Sequence, residues 1–448
     1  MFNHKKITMK HVLKKIINLS LMTMLLFSYS CASDEYIENA PTKVKEKTLM
    51  VKMSVNEANA VKIKKIGSSE ISEKEAIALV RDRFMNKNKS LVVNSCKKVS
   101  LPGIQTRNSE EKTGYYVVEF GSEGNEGFSI VSADRRVEEV FAFSESGSLN
   151  DTVYNEGLKL FCNRLPHYIK NKINNFNTDS LYNAVVSRIP KSRINWIDDG
   201  CVHYYYAQYG FIPDPDFVYM GEETQGSESQ HGIILTTKWS QTYPYNNKLP
   251  YVSNDKRAYV GCAIVAMLQI MAYHKVNYGT VTTSDWINFT QTSQCYDEEL
   301  QDCILSIFNN IPNKDVTIGG TGISAEKIRD FLNNNGYVAD LMDYDSNKMR
   351  YPAYVRGTDR IDGEGHAWVV DSEMISHYIT YDKYEKDDGY DIWRIYVEKQ
   401  ENFGPLYVHC NWGWGGSSDG WYKNEVFSKS NAFDYSINLR LINVKPRN

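Results

Sequence analysis

The sequence predicts an α+β protein whose C-terminal half has helices first and a sheet after them. The first observation is an apolar run over residues 259–271, rich in Ala, Met and Leu, which is too long for an ordinary strand and predicts a buried helix. The second is the sequence from Tyr351 onward, which reads mostly as strand. The third is an upstream stretch that combines amphipathic helices with short strands. The chain therefore contains two α+β units, joined by a polar segment.

Length and composition limit the function classes. The chain has 448 residues, which suggests two or three domains, and 42% of its residues are hydrophobic, which is enough for ordinary cores. The net charge of −4 gives no sign of nucleic acid as a partner. The sequence has no Cys-x-x-Cys or His-x-x-x-His spacing, so we expect no zinc site.

The N-terminus predicts export. Several lysines precede an apolar segment at residues 16–27, which is shorter than the roughly 20 residues of a membrane-spanning helix and is typical of a signal peptide. Residues 28–31 resemble a degenerate bacterial lipobox, in which Cys31 would carry the lipid. We therefore expect residues 1–31 to be a signal peptide and the protein to be a cell-envelope lipoprotein, in the outer membrane or at the surface. Ordinary cleavage near Ser30 and free secretion is the alternative.

The segments that follow differ in character. Residues 32–65 are rich in Lys and Glu with weak periodicity and predict a tether. Residues 66–185 predict the first α+β unit, with a capping box at Ser72 and Glu75 that opens a helix through Met85. This unit also has three predicted strands and a second helix, at residues 115–120, 128–132, 137–143 and 156–174.

A polar connection leads to the second unit. Residues 186–230 include Pro-Asp-Pro at 213–215 and the polar stretch 221–229, so we expect an exposed linker that proteases can cut. Residues 231–448 form the second unit, with helices expected at 297–309 and 324–335.

Three residues of this second unit point to nucleophilic chemistry. Cys262 opens the apolar helix, where unpaired N–H groups and the helix dipole favour the reactive thiolate. His366 begins a later strand, and Asn411 lies on another. A Cys on a helix followed by His and Asn on strands is a known order of nucleophile, base and orienting amide. A small buried core Cys is the alternative for Cys262.

Two other observations narrow the choice. His274 lies on the same helix as Cys262 but about 18 Å further along it, at 1.5 Å per residue, so it cannot be the base. Without Cys31 the chain has seven cysteines, and an odd number leaves at least one free thiol. Cys262 is the obvious candidate, while Cys295 and Cys303 could pair locally.

Several short motifs, in order along the chain, resemble the C10 (streptopain) family of cysteine peptidases. They cover most of residues 235–430, and a further likeness upstream resembles the family's propeptide. The motifs are Trp239-Ser240-Gln241, Pro244-Tyr245-Asn246, Gly261-Cys262-Ala263, Gln269-Ile270-Met271, Tyr273-His274, Gly365-His366-Ala367, residues 411–416, Ser418-Asp419-Gly420 and, upstream, residues 127–136.

The resemblance implies a papain-like, two-lobed catalytic domain preceded by a small inhibitory α+β pro-domain. Cys262 would be the nucleophile, His366 the general base and acid, Asn411 the group that orients the imidazole, and Gln241 a donor to the oxyanion. The partners would be protein or peptide substrates and the chain's own pro-domain, with the membrane reached only through a lipid anchor. The resemblance implies no metal and no organic cofactor.

Four more residues would support the cleft. Trp412 would cover the hydrogen bond between His366 and its orienting amide, and Gly413 would let the backbone approach closely at the rim. By their places in the motifs, Gly365 and Trp414 complete this set.

Two other functions fit the same residues. An acyltransferase would keep the fold and the dyad, but such enzymes orient the His with an Asp, and Asp371 alternates to the opposite strand face. A surface binding protein on a decayed scaffold is the second alternative. The intact Cys262, His366, Asn411 and Gln241 argue against decay.

Overall fold

The computed structural model of the chain describes residues 45–85, 92–101, 113–122, 125–137, 139–187, 203–207, 218–358, 365–387, 391–399, 405–427 and 438–447. The predicted signal peptide, Cys31 and the first part of the predicted tether lie outside these residues. Residues 46–448 form one compact unit.

The helices of the described residues fall into two groups along the chain. The first four belong to the N-terminal half, and the other five begin with the helix that Cys262 opens. They are α1 (Val55–Ile66), α2 (Glu73–Val80), α3 (Glu156–Asn175), α4 (Thr178–Ser187), α5 (Cys262–His274), α6 (Thr283–Phe289), α7 (Glu298–Asn310), α8 (Ala325–Asn334) and α9 (Asn424–Phe427).

The strands are distributed over both halves of the chain. They are β1 (Lys45–Met53), β2 (Val93–Ser100), β3 (Gly114–Ser122), β4 (Asn125–Ser132), β5 (Val140–Ser144), β6 (His203–Ala207), β7 (Val218–Gly232), β8 (Asp315–Val316), β9 (Thr321–Gly322), β10 (Tyr337–Asp343), β11 (Ala353–Thr358), β12 (Gly365–Asp387), β13 (Asp391–Lys399), β14 (Pro405–Asn411), β15 (Gly420–Lys423) and β16 (Arg440–Pro446).

Local sequence signals explain the helix starts. Ser72 and Glu75 form the capping box that opens α2, with each side chain bonded to the other residue's backbone N–H. Asn155 caps α3 by accepting a hydrogen bond from the N–H of Leu158, and Asp297 caps α7 in the same manner. The predicted α+β fold class is confirmed.

A single antiparallel path of strands runs through both halves. Its order is β10-β16-β11-β12-β14-β15-β5-β4-β3-β2. The first six strands belong to the C-terminal half and the last four to residues 66–185. The two groups join where β15 pairs with β5, with Trp421 opposite Phe143 and Tyr422 opposite Ala142. The N-terminal α+β unit therefore adds its sheet directly to the sheet of the C-terminal half.

Three hydrophobic cores lie on this framework. The first surrounds α5, which is buried along almost its whole length. The second lies between α3 and the strands β11, β12 and β14, so it is built by both halves of the chain. The third packs α2 against β3 and β4. Because the second core is shared, residues 156–173 contribute apolar burial to the C-terminal sheet as well as to their own unit.

Four segments differ from the sequence interpretation. Strand β1, within the predicted tether, pairs in parallel with β6, within the predicted linker. Residues 55–66, of which 55–65 were assigned to the tether, form α1, and Ser54 and Glu57 make its capping box while Gly67 ends it at φ 76°. Residues 218–232, expected within an open linker, form β7, which pairs along β12. A partner strand distant in sequence can order a polar segment, because backbone hydrogen bonds do not depend on apolar side chains. The position of an activating cut stays a prediction.

Candidate active site

Cys262 is the first residue of α5 and lies beside the strand that carries His366. Its Sγ atom accepts a hydrogen bond from the backbone N–H of Ala367 at 3.4 Å. The side chain is partly buried and is a free thiol. The helix N-terminus and the Ala367 N–H both favour the thiolate, but burial outweighs them and raises the pKa of the Cys262 thiol.

The turn before Cys262 requires glycine. Gly261 has φ 94°, and a Cβ atom there would lie 2.7 Å from the carbonyl oxygen of Thr321. The Thr321 hydroxyl donates to the carbonyl of Tyr259 at 2.7 Å. This bond holds the strand that carries Thr321 against the residues just before Cys262. The small residue before the cysteine therefore lets β9 pack against the start of α5.

His366 is buried, with 1% of its surface exposed, and its hydrogen bond does not go to Cys262 or Asn411. Its Nε2 atom donates to the carbonyl oxygen of Trp412 at 2.9 Å. A carbonyl can only accept, so the proton of the neutral ring resides on Nε2. The Nδ1 atom has no hydrogen-bond partner, and the Glu156 carboxylate lies 3.5 Å from it. The described structure therefore holds His366 against residues of the predicted pro-domain.

Asn411 belongs to a buried amide network. Its Nδ2 atom donates to the Thr237 carbonyl at 2.8 Å, and its side chain exchanges hydrogen bonds with Gln269 at 3.1 Å. Its Oδ1 atom also accepts from the N–H of Gly413 at 3.2 Å. Asn411 is thus fixed in place without contacting His366, and its orienting role stays a prediction for a chain from which the pro-domain has moved.

Trp412 connects the imidazole to a buried acid. Its carbonyl accepts from His366, and its own N–H donates to Oδ1 of Asp419 at 2.8 Å. Its ring lies near the imidazole, with 6.4 Å between centroids, and its Nε1–H donates to the Ser418 carbonyl at 3.0 Å. Burial raises the pKa of the Asp419 carboxyl to about 7, although the Trp412 N–H opposes the rise.

The other residues predicted to support the cleft lie near Trp412 and Cys262. The Gln241 carbonyl accepts from the N–H of Val260, two residues before Cys262. Ser240 pairs with Trp414 through a β-bridge, which brings the Gln241 segment to the glycine-rich loop, residues 413–418. Gly413 has φ 75°, a conformation that favours glycine, and Gly365 begins β12 beside His366. The oxyanion role of Gln241 stays a prediction.

The first turn of α3 packs directly on the imidazole. A Cβ atom at Gly157 would lie 2.4 Å from the Trp412 ring and 2.6 Å from Cδ2 of His366. Only a glycine therefore allows this approach. With Glu156 next to it, α3 brings both a backbone surface and a carboxylate to the residues predicted to form the dyad and its cover.

Hydrogen bonds tie the segment before α3 to the glycine-rich loop. The hydroxyls of Ser417 and Ser418 donate to the Asp151 carboxylate at 2.6 and 2.7 Å. The Ser146 hydroxyl donates to the Gly416 carbonyl at 2.7 Å. The Ser417 and Ser418 bonds hold the pKa of the Asp151 carboxyl below its usual range even though burial raises it. Residues 146–151 and α3 thus form one surface of the predicted pro-domain, and this surface packs on the glycine-rich loop and on His366.

Burial favours the uncharged form of both residues of the predicted dyad. Burial raises the pKa of the Cys262 thiol, which the charge of Arg356 and the Ala367 N–H oppose and the charge of Glu156 reinforces. Burial lowers the pKa of the His366 imidazole, and the Glu156 charge opposes that change without reversing it. A protonated thiol and a neutral imidazole do not form the ion pair that a thiol peptidase uses.

His409 and His274 have hydrogen-bond partners away from the predicted dyad. His409 bonds through Nδ1 to Asp371 at 2.7 Å, and the Asp371 charge raises the His409 pKa although burial lowers it. Asp371 therefore pairs with His409 and not with His366, which removes the orienting acid that the acyltransferase alternative needs. His274 lies in the last turn of α5 with Nε2 at 3.2 Å from the Val444 carbonyl.

Three features are absent from the described part of the chain. There, no group of three or more His, Cys, Asp or Glu side chains is arranged as a metal site. No helix in those residues has the length and apolar character needed to cross a membrane. The six cysteines in this part are free thiols, so Cys295 and Cys303 do not pair.

Four residues of the site were not predicted from the sequence as site residues. Gln269 and Asp419 fell within the short motifs but received no role, because a motif does not reveal a hydrogen-bond partner. Glu156 and Arg356 had no signal beyond a helix start and a strand. Their importance comes from contacts between segments far apart in sequence.

Family models match two parts of the chain. Residues 68–169 match the family described as Spi protease inhibitor, and residues 239–344 and 325–422 match the Peptidase C10 family. One similar solved structure is the active wild-type interpain A cysteine protease of Prevotella intermedia, at 20% identity and a TM-score of 0.32 over 51% of this chain and 97% of that one. No curated protein matches the sequence.

Proposed function

We propose that the chain is a C10-type cysteine endopeptidase made as an inactive precursor. The match of residues 239–422 to the Peptidase C10 family and of residues 68–169 to the Spi protease inhibitor family supports this proposal. The mature enzyme hydrolyses peptide bonds of proteins through a Cys262–His366 dyad. The observation that carries this assignment is the Cys262 sulfur at the start of α5, bonded to the N–H of the residue after His366.

The reaction needs His366 to leave the Trp412 carbonyl. Its Nδ1 atom, which has no hydrogen-bond partner in the precursor, then takes the proton of Cys262. In this proposal the side-chain oxygen of Asn411, the residue before Trp412, accepts from Nε2 in place of the Trp412 carbonyl. The thiolate attacks the substrate carbonyl carbon, and the oxyanion receives hydrogen bonds from the Cys262 N–H and the Gln241 amide.

Two proton transfers complete the cycle. The imidazolium gives its proton to the leaving amine, so the carbon–nitrogen bond breaks and a thioester remains on Cys262. Water then attacks the thioester, with His366 as the base, and releases the carboxylate product and the free thiol. The pro-domain blocks the first step, since α3 occupies the space beside the imidazole and Glu156 faces Nδ1.

The test uses residues 32–448 treated with a trace of an added protease. We expect the chain to shorten to a species near the size of the second unit and then to cleave an unfolded protein. A thiol alkylator should stop the cleavage and add its mass at Cys262. If the chain is cut to that size but neither cleaves nor reacts with the alkylator at Cys262, the dyad is not assembled and the binding-protein alternative replaces the peptidase.

A pH dependence of the precursor follows from His366. Its pKa is lower in the docked precursor than in the unfolded chain, so the unfolded chain binds the proton better. Stability gained by keeping the ring neutral is therefore present above the usual His pKa and is lost as the pH falls toward the lowered one. We expect urea unfolding of the uncut chain to lose on the order of 1 kcal/mol between pH 7.5 and pH 5.5 from this group.

The comparison that isolates this group is His366→Gln. The variant lacks the titrating ring, so its stability should fall less over the same interval. Equal losses in the two chains would show that other groups cause the pH dependence. Both chains carry Cys262→Ala, so that self-cleavage does not disturb the unfolding curves.

Export and lipid attachment rest on the sequence of residues 1–31. We propose that Cys31 carries the lipid and holds the precursor at the cell envelope. Expression of the whole chain in a bacterial host with radiolabelled palmitate tests this. Label on the wild type but not on Cys31→Ala would support the anchor, and an unlabelled wild type found in the medium would indicate free secretion.

A further inference from the structure

Arg356 lies on the strand next to the one that carries His366. Strand β11 runs antiparallel to β12, with Arg356 opposite Ala367. Ala367 is the residue whose N–H bonds to the Cys262 sulfur. The arginine is therefore one strand away from the contact that defines the nucleophile.

The guanidinium of Arg356 is held in a defined place. Its Nη1 atom donates to the Ile323 carbonyl at 2.8 Å. A Cβ atom at Gly365 would lie 3.1 Å from its Nη2 atom. One face of the head group thus lies against the residue before His366, and the carbonyl contact uses only part of its five N–H donors.

The charge of Arg356 has no carboxylate partner among the described residues. Elsewhere in that part of the chain, Arg135 pairs with Glu75 at 2.6 Å, Arg136 with Asp134 at 2.5 Å and Arg440 with Glu326 at 3.7 Å. Arg356 is partly buried, and its Nη1 atom donates to a neutral carbonyl, that of Ile323. A partly desolvated guanidinium is stabilised far better by a carboxylate, which it can bind with two parallel hydrogen bonds.

The reacting atoms lie within electrostatic reach of this guanidinium. The charge of Arg356 lowers the pKa of the Cys262 thiol, against the effect of burial. It also lowers the pKa of the His366 imidazole, in the same direction as burial. The same two groups respond to the carboxylate of Glu156. In the precursor, the pro-domain therefore already brings an acidic side chain to the region that Arg356 influences.

Resting on the proposed peptidase function, we propose that Arg356 is a specificity-determining residue that binds the carboxylate of a substrate Asp or Glu close to the scissile bond. When the pro-domain leaves, Glu156 leaves with it, and a substrate acid supplies the missing negative charge. The substrate class is then a peptide with an acidic residue close to the cleaved bond. Because Arg356 lies one strand away from the Cys262 contact and each extended residue spans roughly 3.3 Å, we expect the acid within about three positions of that bond.

A second role for Arg356 would be to stabilise the Cys262 thiolate with no contact to substrate. The two roles predict different effects of removing the Arg356 charge on the cleavage rates of acidic and neutral peptides. Loss of thiolate support slows the cleavage of every peptide by the same factor. Loss of a substrate carboxylate contact slows acidic peptides more than their neutral isosteres, so the ratio of kcat/KM values separates the two.

The experiment uses the activated chain and pairs of fluorogenic peptides that are identical except for Glu or Gln at one position. The position is moved through the three residues on each side of the scissile bond. We expect one position at which the wild type prefers Glu by about tenfold or more, the size of a charge-assisted hydrogen bond. Arg356→Gln should remove that preference, and Arg356→Glu should reverse it toward a Lys-containing peptide.

Arg329→Gln serves as the matched control, because this arginine lies on α8 and pairs with Asp330. It should retain the wild-type Glu preference. A wild type that cleaves peptides but prefers Glu at no position overturns the inference, and so does a preference that survives Arg356→Gln. Equal slowing of both peptides in that variant assigns Arg356 to thiolate support and also overturns it.

Two further outcomes are covered: an Arg356→Gln variant that does not fold, and a wild type that cleaves nothing. If Arg356→Gln does not fold, cleavage sites of the wild type on an unfolded protein are mapped by mass spectrometry, and a lack of enrichment in Asp and Glu rejects the inference. If the activated wild type cleaves neither the peptides nor the unfolded protein, the peptidase function itself has failed. The specificity role of Arg356 then fails with it.

Discussion

Replacing Cys262 with Ala lowers the kcat of the cut chain for peptide hydrolysis by at least about three orders of magnitude, since the covalent step is lost with the nucleophile. In the proposed mechanism Cys262 supplies the sulfur that forms the thioester. The measurement is the initial rate on an unfolded protein and on a short peptide, with the concentration of cut enzyme determined by gel.

The matched control is Cys295→Ala in the same domain. Cys295 is buried in the core around α5, where its backbone N–H donates to the Tyr245 hydroxyl. Its loss should cost stability but leave the rate of the folded enzyme close to that of the wild type. Substantial hydrolysis by the Cys262→Ala chain would mean that another group performs the chemistry.

Replacing Gly157 with Val activates the uncut chain. The new side chain would overlap the rings of Trp412 and His366, because even a Cβ atom lies 2.4 Å from the first and 2.6 Å from the second. Overpacking of this kind costs about 1–3 kcal/mol, which shifts the docking equilibrium of α3 by about fivefold to a hundredfold or more. We expect the alkylator to label Cys262 of the uncut variant at least about fivefold faster than it labels the uncut wild type.

Gly320→Val is the matched control for this change. A Cβ atom at Gly320 meets no other atom within 4 Å, so the same substitution there has space. The labelling rate of this variant should equal that of the wild type. If Gly157→Val leaves the rate unchanged as well, α3 does not limit access to Cys262, and the docked helix is not what keeps the precursor inactive.

Local signals in the sequence predicted several elements well. The capping box at Ser72 and the apolar run after Cys262 depend on residues within one or two helical turns, so a single sequence contains the information needed. The same rule could have found α1, since Ser54 and Glu57 form a capping box too. There, the high Lys and Glu content led to the prediction of a tether.

Contacts between distant segments could not be predicted. Strand β7 is polar and was expected to be exposed, yet it pairs with β12, more than a hundred residues later. Sequence order also predicted His366 and Asn411 as neighbours in a catalytic arrangement. The structure instead bonds His366 to the Trp412 carbonyl and holds Asn411 with Gln269, because the position of an imidazole depends on what α3 places against it. The catalytic roles of these residues therefore stay predictions.

The pairing of β5 with β15 has a consequence for the mature enzyme. While the precursor is intact, β15 is an interior strand with a neighbour on each side. Removal of the pro-domain takes away β5 and leaves the outer N–H and C=O groups around Trp421 and Tyr422 without backbone partners, which turns β15 into a sheet edge. An unpaired edge accepts added strands from other chains. Its four residues limit that exposure, so maturation creates a short edge close to the glycine-rich loop.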